Sequence, residues 1–363
     1  MSRLRHIDGL RAIATALVVL FHGYSRWPEY FPYGDKYVGL PVLSSGKPGV
    51  ELFFMISGFV ILMTLEKCTS FSIFIGKRWL RLFPAILICS AIIYVTGPLL
   101  WHRPAGTPTA ASLVPGLLLI DPYWLHVVTR LRWPLAEGAM WSLFVEVQFY
   151  FVFGIGYFVL GSVRVAVLTF ALFVASHAVS LANAAFSSNP GRIGDLVTVL
   201  GTEYYGWFAV GACMYLFWKH GQHRYLIMAL IAGAASSLVL SGEEAVLVGL
   251  SMTALFVGAV TSAPLQAVIG RGILPALGLI TYPVYLLHEN MMVSLIIQER
   301  EAGLPLSDAL LPLPPIALIL GLSWMIARVV EPRLRKAIAR LAGMRDAHRA
   351  LGTKPGLLPS HRG

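Results

Sequence analysis

Charge is scarce in this chain: 13% of its 363 residues are Asp, Glu, Lys or Arg, about half the share found in soluble domains. Hydrophobic residues reach 57% and the mean hydropathy is +0.72, so an ordinary soluble domain is excluded. Cysteine is also rare. Cys68, Cys89 and Cys213 fall within or at the edges of apolar runs, and no disulfide framework is implied. His220 and His223 have no Cys or carboxylate nearby, so no metal site is expected. Ser57 lacks a Gly-x-Ser-x-Gly elbow, which argues against a serine acyl-enzyme. No internal repeat is evident, which weakens the case for transporters built from repeated halves.

What is abundant is long apolar sequence. Segments of spanning length, about 17 to 25 residues, fall near 9–26, 48–65, 83–101, 141–160, 165–183, 196–218, 225–241, 244–262, 273–297 and 309–330. An all-α, polytopic membrane protein with about ten transmembrane helices is therefore expected. Of the 28 lysines and arginines, only Arg26, Lys36, Lys47, Arg103, Arg130, Arg132, Arg192 and Arg300 fall outside if both termini are cytoplasmic. The net charge of +10 thus follows from topology, and nucleic-acid binding is not needed to explain it. The first helix lacks a convincing cleavage site and is read as uncleaved. The expected organisation is a membrane domain over 1–330 and a basic, partly disordered tail over 331–363. Two long outer segments, 27–47 and 102–140, are expected to carry specificity. Tryptophans near span ends, such as Trp27, Trp101, Trp124 and Trp141, read as an aromatic belt.

The first apolar run, IDGLRAIATALVVLFHG, carries an unusual pair. Arg11 and His22 are eleven helical steps apart, which returns them to one face about 16 Å apart. Asp8 and Thr15 share that side. Ionisable groups at such depth mark function by default. Other spans are interrupted in the same way. Glu51 and Ser57 lie in GVELFFMISGFVI, Glu146 and Tyr150 sit one turn apart in WSLFVEVQFYFV, and His288, Glu289 and Asn290 lie deep in TYPVYLLHENMM. Between the second and third spans, SFSIFIGKRWLRLFPA presents Lys77, Arg78 and Arg81.

These segments, in this order, resemble the membrane-bound acyltransferase family 3, mostly bacterial ten-span acyl-CoA-dependent O-acyltransferases. The family's Asp-Gly-Leu-Arg-Ala opening and following His match Asp8 to Ala12 and His22. Its Gly-Val-acidic-aromatic run ending in Ser-Gly-Phe matches Gly49 to Phe59, with Glu51 where many members have Asp. Its spaced arginines match Arg78 and Arg81. Its Trp-Ser-Leu stretch matches Trp141, Ser142, Leu143, Glu146, Phe149 and Tyr150, and its late Tyr-x-x-Tyr-Leu-x-His element matches Tyr282, Tyr285, Leu286 and His288. The resemblance covers about residues 5 to 330, a stand-alone form without the hydrolase-like domain fused to some members.

The resemblance implies transfer of an acyl group, most readily acetyl, from cytoplasmic acyl-CoA to a hydroxyl of an envelope or exported carbohydrate. The enzyme would lie in the cytoplasmic membrane. An alcohol needs a base to become a good nucleophile, and His22 suits that task at neutral pH. Asp8, Arg11 and Glu146 complete the expected catalytic set. Glu146 or Glu51 would orient the imidazole, and Glu289 is a further candidate. Lys77, Arg78 and Arg81 would hold donor phosphates, since guanidinium groups grip phosphate oxygens bidentately. Glu51, Ser57, Trp141, Tyr150, Tyr285 and His288 are the expected substrate contacts. Direct transfer and a transient acyl-histidine both stay open, as does oligomeric state. Two alternatives also stay open: O-acylation of a small glycosylated metabolite such as a macrolide, and a proton-coupled transporter or flippase using the same buried charges.

Overall fold

The computed structural model describes residues 4–40, 46–186, 199–240 and 243–341, together with residues 43 and 197. The expected disordered tail from 342 onward lies outside the described residues. Every regular element among them is helical. In chain order these are α1 (Arg5–Tyr24), α2 (Lys47–Leu65), α3 (Phe71–Thr96), α4 (Ala110–Leu118), α5 (Pro122–Thr129), α6 (Trp141–Leu160), α7 (Ser162–Phe186) and α8 (Tyr205–His220). They continue with α9 (His223–Leu238), α10 (Glu243–Thr261), α11 (Ala263–Ile269), α12 (Leu274–Leu277), α13 (Thr281–Glu301), α14 (Leu313–Met325) and α15 (Glu331–Leu341).

Among the described residues, six helical runs are long and apolar enough to cross a membrane: 5–24, 48–65, 71–99, 138–160, 162–185 and 313–338. Two bent pairs raise the number to eight, short of the expected ten. The remaining segments are helical but less suited by length or polarity. α8 and α9 have 16 residues each, about 24 Å of rise, against a hydrocarbon core of about 30 Å. α13 is long enough, but His288, Glu289 and Asn290 at its centre lower its apolarity.

One bent pair lies where a loop is expected. Within 102–140, α4 and α5 meet at 108°. Local chemistry explains both helices. Thr109 and Ser112 form a reciprocal capping box at the start of α4, and Asp121 accepts from the Tyr123 amide ahead of Pro122 at the start of α5. Leu119 (φ 58°) and Arg130 (φ 63°) end the two helices in the left-handed region, a conformation non-glycine residues seldom adopt. At the other end of the chain, the boundary expected at 330 falls inside a continuous helical run. α14 passes through a π-helical turn, Ile326–Val330, into α15. Pro332 lies one turn beyond, and a proline's missing N–H is a common cause of such a bulge.

α1 is the pivot of the bundle, packing on α2, α12 and α13. α2 in turn packs most extensively on α8, and small residues bring those two backbones together. A Cβ added at Gly58 would lie 2.0 Å from the Phe208 carbonyl oxygen, and one at Gly211 would lie 1.9 Å from that of Met55. α7 and α14 are mostly exposed on their flanks, as lipid-facing helices would be. Gly211→Ala should therefore force α2 and α8 apart and cost about 1–3 kcal/mol or more. Thermal unfolding of the detergent-purified protein should show a lowered midpoint. Gly39→Ala, with open space around its Cβ, should leave the midpoint where it is.

Candidate functional site

Two polar clusters lie along the inside of the bundle, and α1 contributes to both. Near the end of α1, the buried imidazole of His22 donates from Nδ1 to the Val18 carbonyl at 2.9 Å. A carbonyl can only accept, so the proton sits on Nδ1 and Nε2 carries the lone pair. His288 on α13 is held the same way, with Nδ1 donating to the Tyr285 carbonyl at 2.9 Å. Its Nε2 lies 3.3 Å from Nδ1 of His22, and the two rings stand at 89° with centroids 4.7 Å apart.

The carboxylate beside His22 belongs to Glu289. Its Oε1 is 3.8 Å from Nε2 of His22, and its Oε2 accepts from the Ala139 amide at 2.6 Å. Gly138 lies so close that an added Cβ would sit 3.0 Å from Oε1. Glu289 is thus clasped by the turn that opens α6, where unpaired amides favour a negative charge.

Beyond Tyr285 lies a cavity lined by Arg11, Arg78, Arg81, Glu146, Ser57 and Tyr150 among polar residues, with Phe53, Phe54, Ile56 and Leu143 among apolar ones. Tyr285 lines it too, while its ring centroid lies 5.4 Å from that of His288. Its hydroxyl donates to the Ala139 carbonyl at 2.9 Å, and Ser142 Oγ lies 2.6 Å away. Tyr285 therefore touches both clusters. His22 does not line the cavity.

The three arginines differ in their ties. Arg11 pairs with Asp8 at 3.1 Å within α1, as the spacing on that helix implies. Arg78 is buried and donates to the Val60 carbonyl at 3.1 Å and Thr64 Oγ1 at 2.8 Å. It also lies between the rings of Phe74 and Tyr150, 5.5 and 5.3 Å from their centroids. Arg81 is exposed and borders the cavity. Lys77 does not line the cavity, and its Nζ points to Cys68 Sγ at 3.7 Å.

Glu146 sits with the arginines rather than with His22. Its Oε1 accepts from Ser57 Oγ at 2.8 Å and from the Tyr150 hydroxyl at 2.7 Å. Glu51 is buried in α2 and does not line the cavity. Trp141 is exposed at the start of α6, where its ring lies 5.2 Å from that of Tyr204. The structure thus groups His22 with His288 and Glu289, and separately groups Arg11, Arg78, Arg81, Ser57, Glu146 and Tyr150. Tyr285 lies between the two groups.

A third set escaped the sequence reading. Arg103 and Glu137 form an ion pair at 2.7 Å that is almost wholly buried. Glu137 Oε2 also accepts from the Asn290 side chain at 2.6 Å and its backbone amide at 3.0 Å. Burial raises the Glu137 carboxyl above its ordinary range, while Arg103 and the Asn290 donors work against that shift. Arg103 and Glu137 lie in a proline-rich stretch without periodicity, so only the adjacent His-Glu-Asn triplet hinted at partners.

Comparison with known proteins shows the family of the chain. The family model described as an acyltransferase domain matches residues 4–328. Nodulation protein 10 of Rhizobium leguminosarum bv. viciae is 30% identical over 159 residues, which is 40% of this chain and 42% of that protein. The O-acetyl transferase of Shigella phage Sf6 is 33% identical over 96 residues, 26% of this chain and 27% of its own. The chain spans less than half the length of these curated relatives. No solved structure matches. The match across residues 4–328 shows that this chain belongs to the acyltransferase family 3, membrane-embedded transferases of acyl groups.

Proposed function

We propose that this protein moves an acyl group, acetyl by preference, from cytoplasmic acyl-CoA to a hydroxyl of an envelope or exported carbohydrate. On this reading it works in the cytoplasmic membrane, as a ten-span protein with both termini inside. The observation that carries it is the face of His22. Nδ1 is committed to the Val18 carbonyl, and the basic Nε2 looks toward Glu289 across 3.8 Å.

A neutral imidazole with one ring nitrogen unprotonated is the form a general base needs. The acceptor hydroxyl gives its proton to Nε2 as its oxygen attacks the thioester carbonyl. The C–S bond then breaks, and the protonated histidine returns the proton to the departing thiolate. The imidazolium formed in between faces the Glu289 carboxylate, which stabilises it without taking the proton. His288 fixes the ring from the other side.

The arginine cavity supports the donor half. A CoA thioester carries phosphates that suit guanidinium groups, and Arg81 is the most exposed of the three arginines. Arg11 and Arg78, tied to Asp8, Val60 and Thr64, shape the cavity beyond it. The thioester would reach His22 past Tyr285, which borders both regions.

The test uses membranes carrying the protein, supplied with labelled acetyl-CoA and an extract of unmodified envelope polysaccharide. Label should pass to the polysaccharide with release of CoA. His22→Ala should lower the rate at least about a hundredfold at unchanged amounts of folded protein. Normal transfer by that variant would remove His22 from the role of base. Glu289→Gln keeps the shape but loses the charge, and should cost at least about tenfold in kcat. The same change at Glu146 should cost kcat less than at Glu289; the reverse order would return the orienting role to Glu146. Arg81→Ala should raise the KM for acetyl-CoA about tenfold, or about 1.4 kcal/mol, with a smaller change in kcat. Unchanged acetyl-CoA affinity would make Arg81 a lipid anchor instead.

A further inference from the structure

The outer segment 102–140 does more than cap the bundle. Its last turn is fastened to α13 residue by residue. The Ala136 carbonyl accepts from Asn290 Nδ2 at 3.4 Å, and Glu137 takes both the side-chain and backbone N–H groups of Asn290. The Ala139 amide donates to Glu289, and the Ala139 carbonyl accepts from Tyr285. Three of the four residues 136–139 thus bond to a six-residue stretch of α13, Tyr285 to Asn290, that also holds His288.

Arg103 locks this seam from behind. Its guanidinium donates to Glu137 at 2.7 Å and to the Ala136 carbonyl at 3.0 Å, and its Nε donates to the Gly106 carbonyl at 3.2 Å. Asn290 Oδ1 accepts from the Ala105 amide at 2.8 Å. The Arg103 and Glu137 side chains are 0% and 1% exposed, so solvent does not screen the pair. Breaking a buried pair by removing one partner leaves a charge that nothing compensates. None of these side chains reaches His22 itself.

We propose that Arg103, Glu137 and Asn290 are positioning residues for acyl transfer: they hold the 136–139 turn on α13 and thereby set Glu289 against Nε2 of His22. The proposal rests on the reading of His22 as the base. It differs from the specificity role expected of segment 102–140, because the seam acts on the rate of the chemical step and not on the choice of acceptor. Displacing an orienting group by about 1 Å can cost about a hundredfold in rate.

The full-length protein in detergent carries the test, with Asn290→Ala and Glu137→Gln compared with wild type. Asn290→Ala leaves the Arg103–Glu137 pair whole and remains informative if Glu137→Gln fails to fold. In hydrogen exchange, the Ala139 amide should lose protection in both variants while α8 stays protected. Unchanged protection at Ala139 would overturn the proposal. In the transfer assay with acetyl-CoA and the polysaccharide extract, kcat should fall at least tenfold, with the KM for acetyl-CoA within twofold of wild type. An unchanged kcat, or a loss confined to KM, would also overturn it. A wild-type protein that transfers nothing would instead defeat the proposed function, and the exchange experiment would still decide whether the seam holds the turn.

Discussion

An apolar helix bundle must not leave its buried polar groups without partners, and most of this structure follows from that constraint. A charged or hydrogen-bonding group taken out of water costs several kcal/mol unless another group replaces the water. α13 places His288, Glu289 and Asn290 at consecutive positions, where helical geometry turns them toward different neighbours. His288 meets α1, while Glu289 and Asn290 meet the turn before α6. The packing of α13 on α1 and on the turn before α6 is therefore the arrangement that satisfies this triplet. Close van der Waals packing holds the helices together, and the polar contacts select their register.

Much of this was legible in the sequence because it rests on local periodicity. The all-helical class and the positions of the long apolar helices follow from the length of the apolar runs, and the polar stripe of α1 from about 3.6 residues per turn. So does the Arg11–Asp8 pair, which needs only one turn of helix. The family resemblance, carried by short runs of residues, agrees with the match over residues 4–328. What periodicity does not contain is which helix lies beside which. Glu146 and Glu289 are both carboxylates deep in apolar helices, and only the packing reveals that Glu146 faces Ser57 and Tyr150 while Glu289 faces His22.

The segment 102–140 shows a second limit. Its prolines and scattered charges read as a loop, yet Thr109, Ser112 and Asp121 cap two short helices within it. Those caps are local signals, visible once sought. The tie from Arg103 to Glu137 spans 34 residues of chain and has no local signal. Among the described residues, six to eight helical runs meet the length and apolarity of a solitary span. Hydropathy recognises a span by how it would fare alone in lipid, whereas α8, buried along nearly its whole length except its final residues, needs little lipid contact of its own. A helix shielded by neighbours can be shorter or more polar than a solitary one.

The cavity and His22 are distinct places, and this limits how the arginines can act. Three guanidinium groups in one apolar chamber would repel one another if none had a partner. Asp8 and Glu146 supply negative charge, and the Val60 carbonyl and Thr64 hydroxyl both accept from Nη2 of Arg78. The inner chamber is therefore closer to neutral than its arginine count implies, with Arg81 left at the exposed edge. A polyanionic donor would be held at that edge, and its uncharged thioester end is the part suited to the chamber beyond. On the proposed reading, the roughly three helical turns between Arg11 and His22 separate a region that would take phosphate from one that would exclude it. With His22 as the proposed base, a second anion beside its Nε2 would compete with Glu289 for the imidazolium formed during transfer.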